Sequence, residues 1–199
     1  EGIAVDAGGI YVVDSGNHRV LYYAGTSTTA TRVYGQGGSF TTGTGNKRGV
    51  SSTSLQLPQG GAADANGVYV ADRNNHRVLY FAGTATTATR VYGQGGSFTQ
   101  NTCKYGNVDP TANTLCSPRS IAIDAGGIYI ADEVNNRALF FPGTATTPTK
   151  VYGQLGNFTS KSSNASGTTA ATLSYASGVA IYGSNLYITD YSNNRCLMY

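Results

Sequence analysis

The sequence predicts an all-β fold built from four copies of one module. The stretch from Gly9 to Tyr23 returns from Gly67 to Phe81, from Gly127 to Phe141 and, more loosely, from Leu186 to Tyr199. The first aspartate of each copy recurs at intervals of 58, 60 and 58 residues, at Asp14, Asp72, Asp132 and Asp190. Gly (27) and Tyr (15) are abundant while charged residues make up only 12%, which favours strands and turns over helices. A repeat of this length indicates an array, a solenoid or a radial arrangement of sheets.

Each module contains four short strands. Residues 10–13 and 20–23 are β-branched and aromatic and flank a polar turn, which is typical of a hairpin. Residues 2–6 form a preceding strand that enters the hairpin through Asp6-Ala7-Gly8-Gly9, and residues 31–36 form a fourth strand. Four antiparallel strands per repeat predict the blade of a β-propeller.

The chain is therefore expected to be one propeller domain with long loops between its blades. The predicted divisions are blade 1 at 1–36, loop 37–57, blade 2 at 58–94, loop 95–117, blade 3 at 118–154, loop 155–176 and blade 4 at 177–199. The fourth blade has only three strands, which leaves an open sheet edge. A closed four-blade ring, part of a larger ring of about six blades and strand donation by a neighbouring chain all satisfy this pattern. Part of a larger ring is favoured because both ends of the sequence cut the repeat.

The repeated residues resemble the NHL repeat over the whole chain. The resemblance lies in Gly2-Ile3-Ala4-Val5-Asp6, in the strand from Gly9 to Asp14 and in Asn17-His18-Arg19-Val20; Leu57-Pro58-Gln59-Gly60 introduces the second copy. It implies a β-propeller whose innermost strands line a central channel and whose faces bind proteins, RNA or other ligands. The long loops depart from the NHL pattern, and so does Tyr182, which replaces the aspartate of the first strand in the last copy.

The hairpin of each copy is expected to carry one structural ion pair. An aspartate ends the second strand and an arginine opens the third, so the two side chains meet across the hairpin. The predicted pairs are Asp14 with Arg19, Asp72 with Arg77, Asp132 with Arg137 and Asp190 with Arg195. His18 and His76 are interpreted as turn residues, because Asn136 and Asn194 stand at the same position in the other copies.

The cysteines and glycosylation motifs predict a secreted or cell-surface protein. Cys103 and Cys116 lie in one loop and are expected to form a disulfide, with two free thiols as the alternative. Cys196 stands where Val20 stands in the first copy, and we expect it to be buried. Asn157 and Asn164 are predicted glycan acceptors, and Phe40, Phe98 and Phe158 are expected to fix the start of each loop on its blade.

Metal, nucleic-acid and membrane sites receive little support. Asp6, Asp64 and Asp124 end the innermost strands and are weak candidates for a calcium site, but each also begins a turn that it could cap. Most of the 13 basic residues belong to the repeat, so the net charge of +3 does not predict a nucleic-acid surface. The sequence contains no apolar run long enough for a membrane span.

These observations predict a non-enzymatic extracellular binding or scaffold module that needs no cofactor. It would present long Ser/Thr-rich loops on a rigid propeller to a protein or glycan partner, or assemble with itself through the incomplete edge blade. The alternative is a propeller lyase or hydrolase with a metal in the central channel, like the amidating lyase that NHL-like propellers resemble. Two histidines are too few for a three-histidine zinc site.

Overall fold

The structure, a computed structural model, describes residues 2–199 except for the side chain of Tyr105. It confirms the all-β propeller architecture, with three four-stranded antiparallel sheets and one three-stranded sheet. The strands are β1 Ile3–Asp6, β2 Gly9–Asp14, β3 Arg19–Ala24 and β4 Arg32–Gly35 in blade 1; β5 Gly61–Asp64, β6 Gly67–Asp72, β7 Arg77–Ala82 and β8 Arg90–Tyr92 in blade 2; β9 Pro118–Asp124, β10 Gly127–Asp132, β11 Arg137–Pro142 and β12 Lys150–Tyr152 in blade 3; and β13 Ala176–Tyr182, β14 Asn185–Asp190 and β15 Arg195–Met198 in blade 4.

The two ends of each sheet differ. At one end, which we call the loop face, short 3-10 turns join the second and third strands at Ser15–Asn17, Arg73–Asn75, Glu133–Asn135 and Tyr191–Asn193. The long segments between blades also leave from this end. At the other end, the turn face, two-residue turns join the first strand to the second, and seven-residue connections join the third to the fourth. The described residues form no helix that is long and apolar enough to cross a membrane.

Hydrophobic seams hold consecutive blades together. In the first seam, one face of blade 1, with Tyr11, Val20 and Tyr34, packs against Val68 and Phe81 of blade 2. Corresponding residues form the seams between blades 2 and 3 and between blades 3 and 4. Strand alternation explains the pattern, because each blade sends one set of side chains to each neighbour.

The outer faces of blades 1 and 4 are not covered in this way. Within residues 2–199, no hydrophobic cluster joins blade 4 to blade 1. Ile3 of blade 1 is 68% exposed, whereas the equivalent Ile121 of blade 3 is 7% exposed. The expectation that Cys196 is buried was wrong: it lies on the outer face of blade 4 and is exposed. Its counterpart Val20 is buried because blade 2 covers it.

The end of each long segment is part of the core. We call residues 51–58, 111–118 and 169–176 the lead-in segments of blades 2, 3 and 4. Each contains two Ser or Thr residues spaced by three and followed by leucine, and the second hydroxyl accepts the backbone N–H of the first residue, as Ser54 does from Ser51. The leucine that follows is fully buried; the three are Leu55, Leu115 and Leu173.

Each lead-in leucine packs against a glycine of the preceding blade. Gly93 has φ 84°, and a Cβ placed on it would lie 2.9 Å from the side chain of Leu115. That position therefore requires glycine both for its backbone conformation and for space. The close approach ties the end of one blade to the start of the next.

Two loops are tied to a hairpin by a pair of asparagines. The amides of Asn46 and Asn75 donate to each other at 2.8 and 2.7 Å, and those of Asn164 and Asn193 do the same at 3.0 and 2.8 Å. Lys104 takes this position in the middle loop. Its positive φ of 55° matches the 50° of the two loop asparagines.

The middle loop is closed by a disulfide instead. Cys103 and Cys116 are joined in the structure, with 4.6 Å between their Cα atoms. Opposite Lys104, the buried Oδ1 of Asn135 has no hydrogen-bond partner among the described residues. The covalent link thus stands where the other loops have an amide pair.

We predict that Lys104→Asn stabilises the protein by about 1 kcal/mol, because an asparagine would give Asn135 its missing partner and tolerates positive φ. Urea unfolding measures the effect. The matched control, Asn164→Lys, recreates the arrangement of the middle loop and should lower stability. No gain for Lys104→Asn, with or without reductant, would contradict the equivalence of the two arrangements.

Candidate functional site

Each predicted Asp–Arg pair is formed, and the long segments enclose it. Arg77 Nε donates to Asp72 Oδ2 at 2.8 Å, and its Nη2 donates to the carbonyls of Ser51 and Ser54, both at 2.9 Å. Asp72 Oδ1 accepts the backbone N–H of Gln56 at 2.7 Å. The pairs of blades 3 and 4 have the same arrangement: Asp132 with Arg137 at 2.8 Å and Asp190 with Arg195 at 2.6 Å.

The four pairs differ in burial. Both partners are fully buried in blades 2 and 3, whereas Arg19 and Asp14, 2.7 Å apart, are 17% and 25% exposed. Burial raises the pKa of Asp72, and Arg77 opposes that shift. Partial burial also acts to raise the pKa of Asp14, but hydrogen bonds from Arg19 and Asn17 outweigh it and hold that pKa below its ordinary value.

The three phenylalanines that were expected to fix the loops on their blades differ in burial. Phe98 and Phe158 are partly buried against the clusters of the first and second seams. Phe40, in the corresponding position after blade 1, is 45% exposed. The backbone carbonyl of each of the three accepts a hydrogen bond from the hairpin arginine of its blade.

The two histidines connect blades across the seams. His18 and His76 lie in the left-handed conformation at φ 53° and 55°. Their Nδ1 atoms accept the backbone N–H of Leu57 and Ser117, each at 3.0 Å, and Asn136 Oδ1 accepts that of Tyr175 at 2.7 Å. Histidine and asparagine are interchangeable here because both tolerate positive φ and offer one acceptor.

The candidate calcium ligands stay apart at the turn face. The Oδ1 atoms of Asp6, Asp64 and Asp124 each accept two backbone N–H groups of the turn that follows, at 2.7 to 3.0 Å. No group of three or more His, Cys, Asp or Glu side chains that could hold a metal occurs in the described part of the chain. These aspartates therefore cap their own turns.

A buried glutamate near the central channel was not predicted from the sequence. Glu133 is 3% exposed and accepts hydrogen bonds from Arg73 at 3.1 Å and from Arg119 at 2.6 Å, which links blades 2 and 3. Arg119 also lines a central cavity of about 370 Å³ to which all four blades contribute. One feature of the sequence could have indicated this ion pair. Glu133 and Arg73 have opposite charges and stand at the same hairpin position of consecutive copies, where the other two copies have Ser15 and Tyr191.

The middle and last loops meet at the loop face. Lys161 Nζ lies 3.1 Å from Asp109 Oδ1 and also donates to the carbonyl of Val108. Val108 is 80% exposed and Leu155 is 54% exposed. The disulfide, this ion pair and the buried lead-in residues fix a ridge with apolar side chains at its surface.

The two predicted glycan acceptors have different surroundings. Asn157 is exposed, and its Oδ1 accepts the backbone N–H of Thr159 at 2.8 Å and its hydroxyl at 2.9 Å. The Nδ2 atom of Asn157 has no hydrogen-bond partner within residues 2–199. The Nδ2 atom of Asn164 donates to Asn193, so a glycan on Asn164 would disrupt that pair.

Radial sheets joined by hydrophobic seams define the chain as a β-propeller. The family model for the NHL repeat matches residues 1–23, so the chain is similar to that family over this stretch. No curated protein matches the sequence.

Solved structures share the fold. A chain in the crystal structure of a nidogen/laminin complex has a TM-score of 0.58 and 20% identity, over 100% of this chain and 58% of that one. The glutaminyl cyclase of Myxococcus xanthus has a TM-score of 0.53 and 10% identity, over 100% and 70%. A protein of unknown function from Bacteroides thetaiotaomicron has a TM-score of 0.59 and 18% identity, over 100% and 46%. The chain thus spans 58% and 46% of the first and third of these.

We predict that Arg77→Ala lowers the free energy of unfolding by about 3–5 kcal/mol, because it leaves the buried Asp72 without its cation. Arg19→Ala, at the partly exposed equivalent in blade 1, should cost about 1 kcal/mol or less. Denaturant unfolding of both variants gives the comparison. Equal losses would show that burial does not set the strength of these pairs.

We predict that stability falls as the pH drops below about 6.5, the ordinary pKa of histidine. The reason is that burial lowers the pKa of His76; the charge of Asp132 opposes this shift, and the charge of Arg73 adds to it. The folded state then binds fewer protons than the unfolded one, so this stabilisation is present above that pH and is lost as the pH falls through the lowered pKa. His76→Asn keeps the acceptor of the seam and should remove this part of the pH dependence in thermal unfolding. If His76→Asn leaves the pH dependence of thermal unfolding unchanged, that dependence arises from groups other than His76.

Proposed function

We propose that the chain is a non-enzymatic extracellular module that binds a protein partner through the ridge of the middle and last loops. The C-terminal end of each of these long loops is fixed, and we call this end the root of the loop. Each lead-in segment is held there by a buried leucine and by hydrogen bonds to a hairpin arginine and aspartate, and this observation supports the proposal most strongly. Fixed roots reduce the entropy lost on binding. Long loops on a rigid scaffold are frequent binding elements.

An extracellular location is supported by the disulfide and by the exposed glycosylation motif. Disulfides persist in oxidising compartments and are rare in the cytosol. Asn157 has a free side-chain nitrogen at the surface, whereas that of Asn164 is engaged with Asn193. We therefore propose Asn157 as the occupied acceptor and assign Asn164 a structural role.

Self-assembly through the outer faces of blades 1 and 4 is a second candidate, supported by the apolar side chains that these faces expose. Met198 is 64% exposed on blade 4, and Ile3 and Val5 are 68% and 62% exposed on blade 1. Exposed apolar faces of this kind mark association surfaces. The enzymatic alternative, a metal in the channel, has no comparable support, because the candidate aspartates each cap a separate turn.

A photo-crosslinking residue at position 108 tests the proposal, with the same residue at the exposed turn-face position 29 as the control. We expect one extracellular protein to cross-link from position 108 only. Val108→Asp should then weaken binding of that purified partner at least about tenfold, while Thr29→Asp leaves it unchanged. Cross-linking from neither position or equal effects of the two substitutions would overturn the loop ridge as the binding site. Cross-linking from position 108 only to copies of this chain would overturn the separate protein partner.

A further inference from the structure

Two matching clefts open on the turn face, one at the first seam and one at the second. Their volumes are about 320 and 410 Å³. The first is lined by Asp6, Tyr11, Tyr22 and Arg32, and the second by their counterparts Asp64, Tyr69, Tyr80 and Arg90. In both, the following blade closes the cleft with a Gly-Thr turn, Gly83-Thr84 or Gly143-Thr144.

Each cleft holds a guanidinium group in a fixed position. The Arg32 guanidinium carbon lies 3.8 Å from the centre of the Tyr22 ring, and Arg90 lies 3.8 Å from that of Tyr80. Arg32 also donates to the Tyr34 hydroxyl at 3.1 Å. Neither arginine forms an ion pair within residues 2–199. Their remaining N–H groups are therefore available to a ligand.

Each cleft also holds a carboxylate with unused acceptor capacity. Asp64 Oδ1 caps the turn at Asn66 and Gly67, while its Oδ2 has no hydrogen-bond partner in the described part of the chain. Asp6 Oδ2 accepts one hydrogen bond, from the Tyr11 hydroxyl at 2.9 Å. A carboxylate oxygen can accept about two hydrogen bonds.

The third seam lacks the stacked guanidinium. Lys150 stands in place of the arginine, and its Nζ lies 5.6 Å from the centre of the Phe140 ring, which replaces the second tyrosine. Tyr152 packs against Tyr199 there, with 5.1 Å between ring centres. The chain thus contains an internal comparison in which the seam is kept and the polar groups are changed.

We propose that the first and second clefts each bind a neutral saccharide. Neighbouring sugar hydroxyls both donate and accept, which matches a carboxylate acceptor and a guanidinium donor in one concave site. A simple anion fits less well, because an aspartate shares each cleft with the arginine. The clefts lie at the opposite end of the sheets from the loop ridge, so this site is independent of the protein partner proposed there.

Saturation-transfer difference NMR with the methyl glycosides of glucose, galactose, mannose and N-acetylglucosamine tests the proposal. We expect at least one glycoside to bind at two sites per chain, with millimolar or tighter affinity. The double variant Arg32→Lys, Arg90→Lys keeps the charge but loses the planar donor pair, and it should weaken binding at least about tenfold. Lys150→Arg at the third seam and Arg48→Lys in the first loop are the controls and should not weaken binding.

Three results would overturn the proposal: no transfer to any of the four glycosides, binding that the double variant leaves unchanged, or displacement of the glycoside by inorganic sulfate, which would identify an anion site. Circular dichroism and thermal unfolding of the double variant establish that it remains folded. The loop-ridge experiment reads a different face, so either proposal can fail without the other.

Discussion

The Asp–Arg pair of each hairpin, which is fully buried in blades 2 and 3, is the interaction on which the rest of the structure depends. Removing both charges from water is costly, and the cost is offset only when every remaining donor and acceptor is used. Blade 2 meets this condition with backbone groups from outside the sheet: Arg77 donates to the carbonyls of Ser51, Ser54 and Phe98, and Asp72 accepts from Gln56. The segments before and after the blade are therefore required for the pair to be buried.

This constraint redefines the repeating unit. A blade alone cannot bury its ion pair, because in blade 2 three of the backbone groups that satisfy the pair lie in the lead-in segment and a fourth lies in the loop that follows the fourth strand. The structural module therefore begins with the lead-in segment and ends beyond the fourth strand. In blade 1 the pair of Asp14 and Arg19 is partly exposed.

The sequence was sufficient to predict the strands, the hairpins and the ion pairs, because these depend on local alternation and on residues five positions apart. It was insufficient for the lead-in segments, whose Ser/Thr-rich composition is typical of surface loops. Their role depends on contacts between Leu115 and Gly93 and between Thr114 and Arg137, which are distant in sequence. The recurring Ser/Thr pair followed by leucine was the available signal.

Cys196 shows a second limit of sequence comparison within a repeat. Equivalent positions predict equivalent environments only where both neighbouring blades are present. Val20 and Cys196 occupy the same place in the sheet, yet one is 1% exposed and the other lies on an uncovered face. Burial in a radial array is set by the neighbouring blade, so residue type alone does not reveal it.

The two ends of the sheets are under different physical constraints, and this difference determines where the repeats can diverge. At the loop face, the hairpin arginine and the aspartate are engaged in hydrogen bonds, and the lead-in leucine is packed in the core. A substitution there must therefore keep the same contacts, as asparagine in place of histidine does at the seam. At the turn face, the seam is complete without Arg32 or Arg90, as the third seam with Lys150 demonstrates. Polar side chains there can change from seam to seam while the packing beneath them is kept, which is the condition for a propeller to vary what it binds without losing its fold.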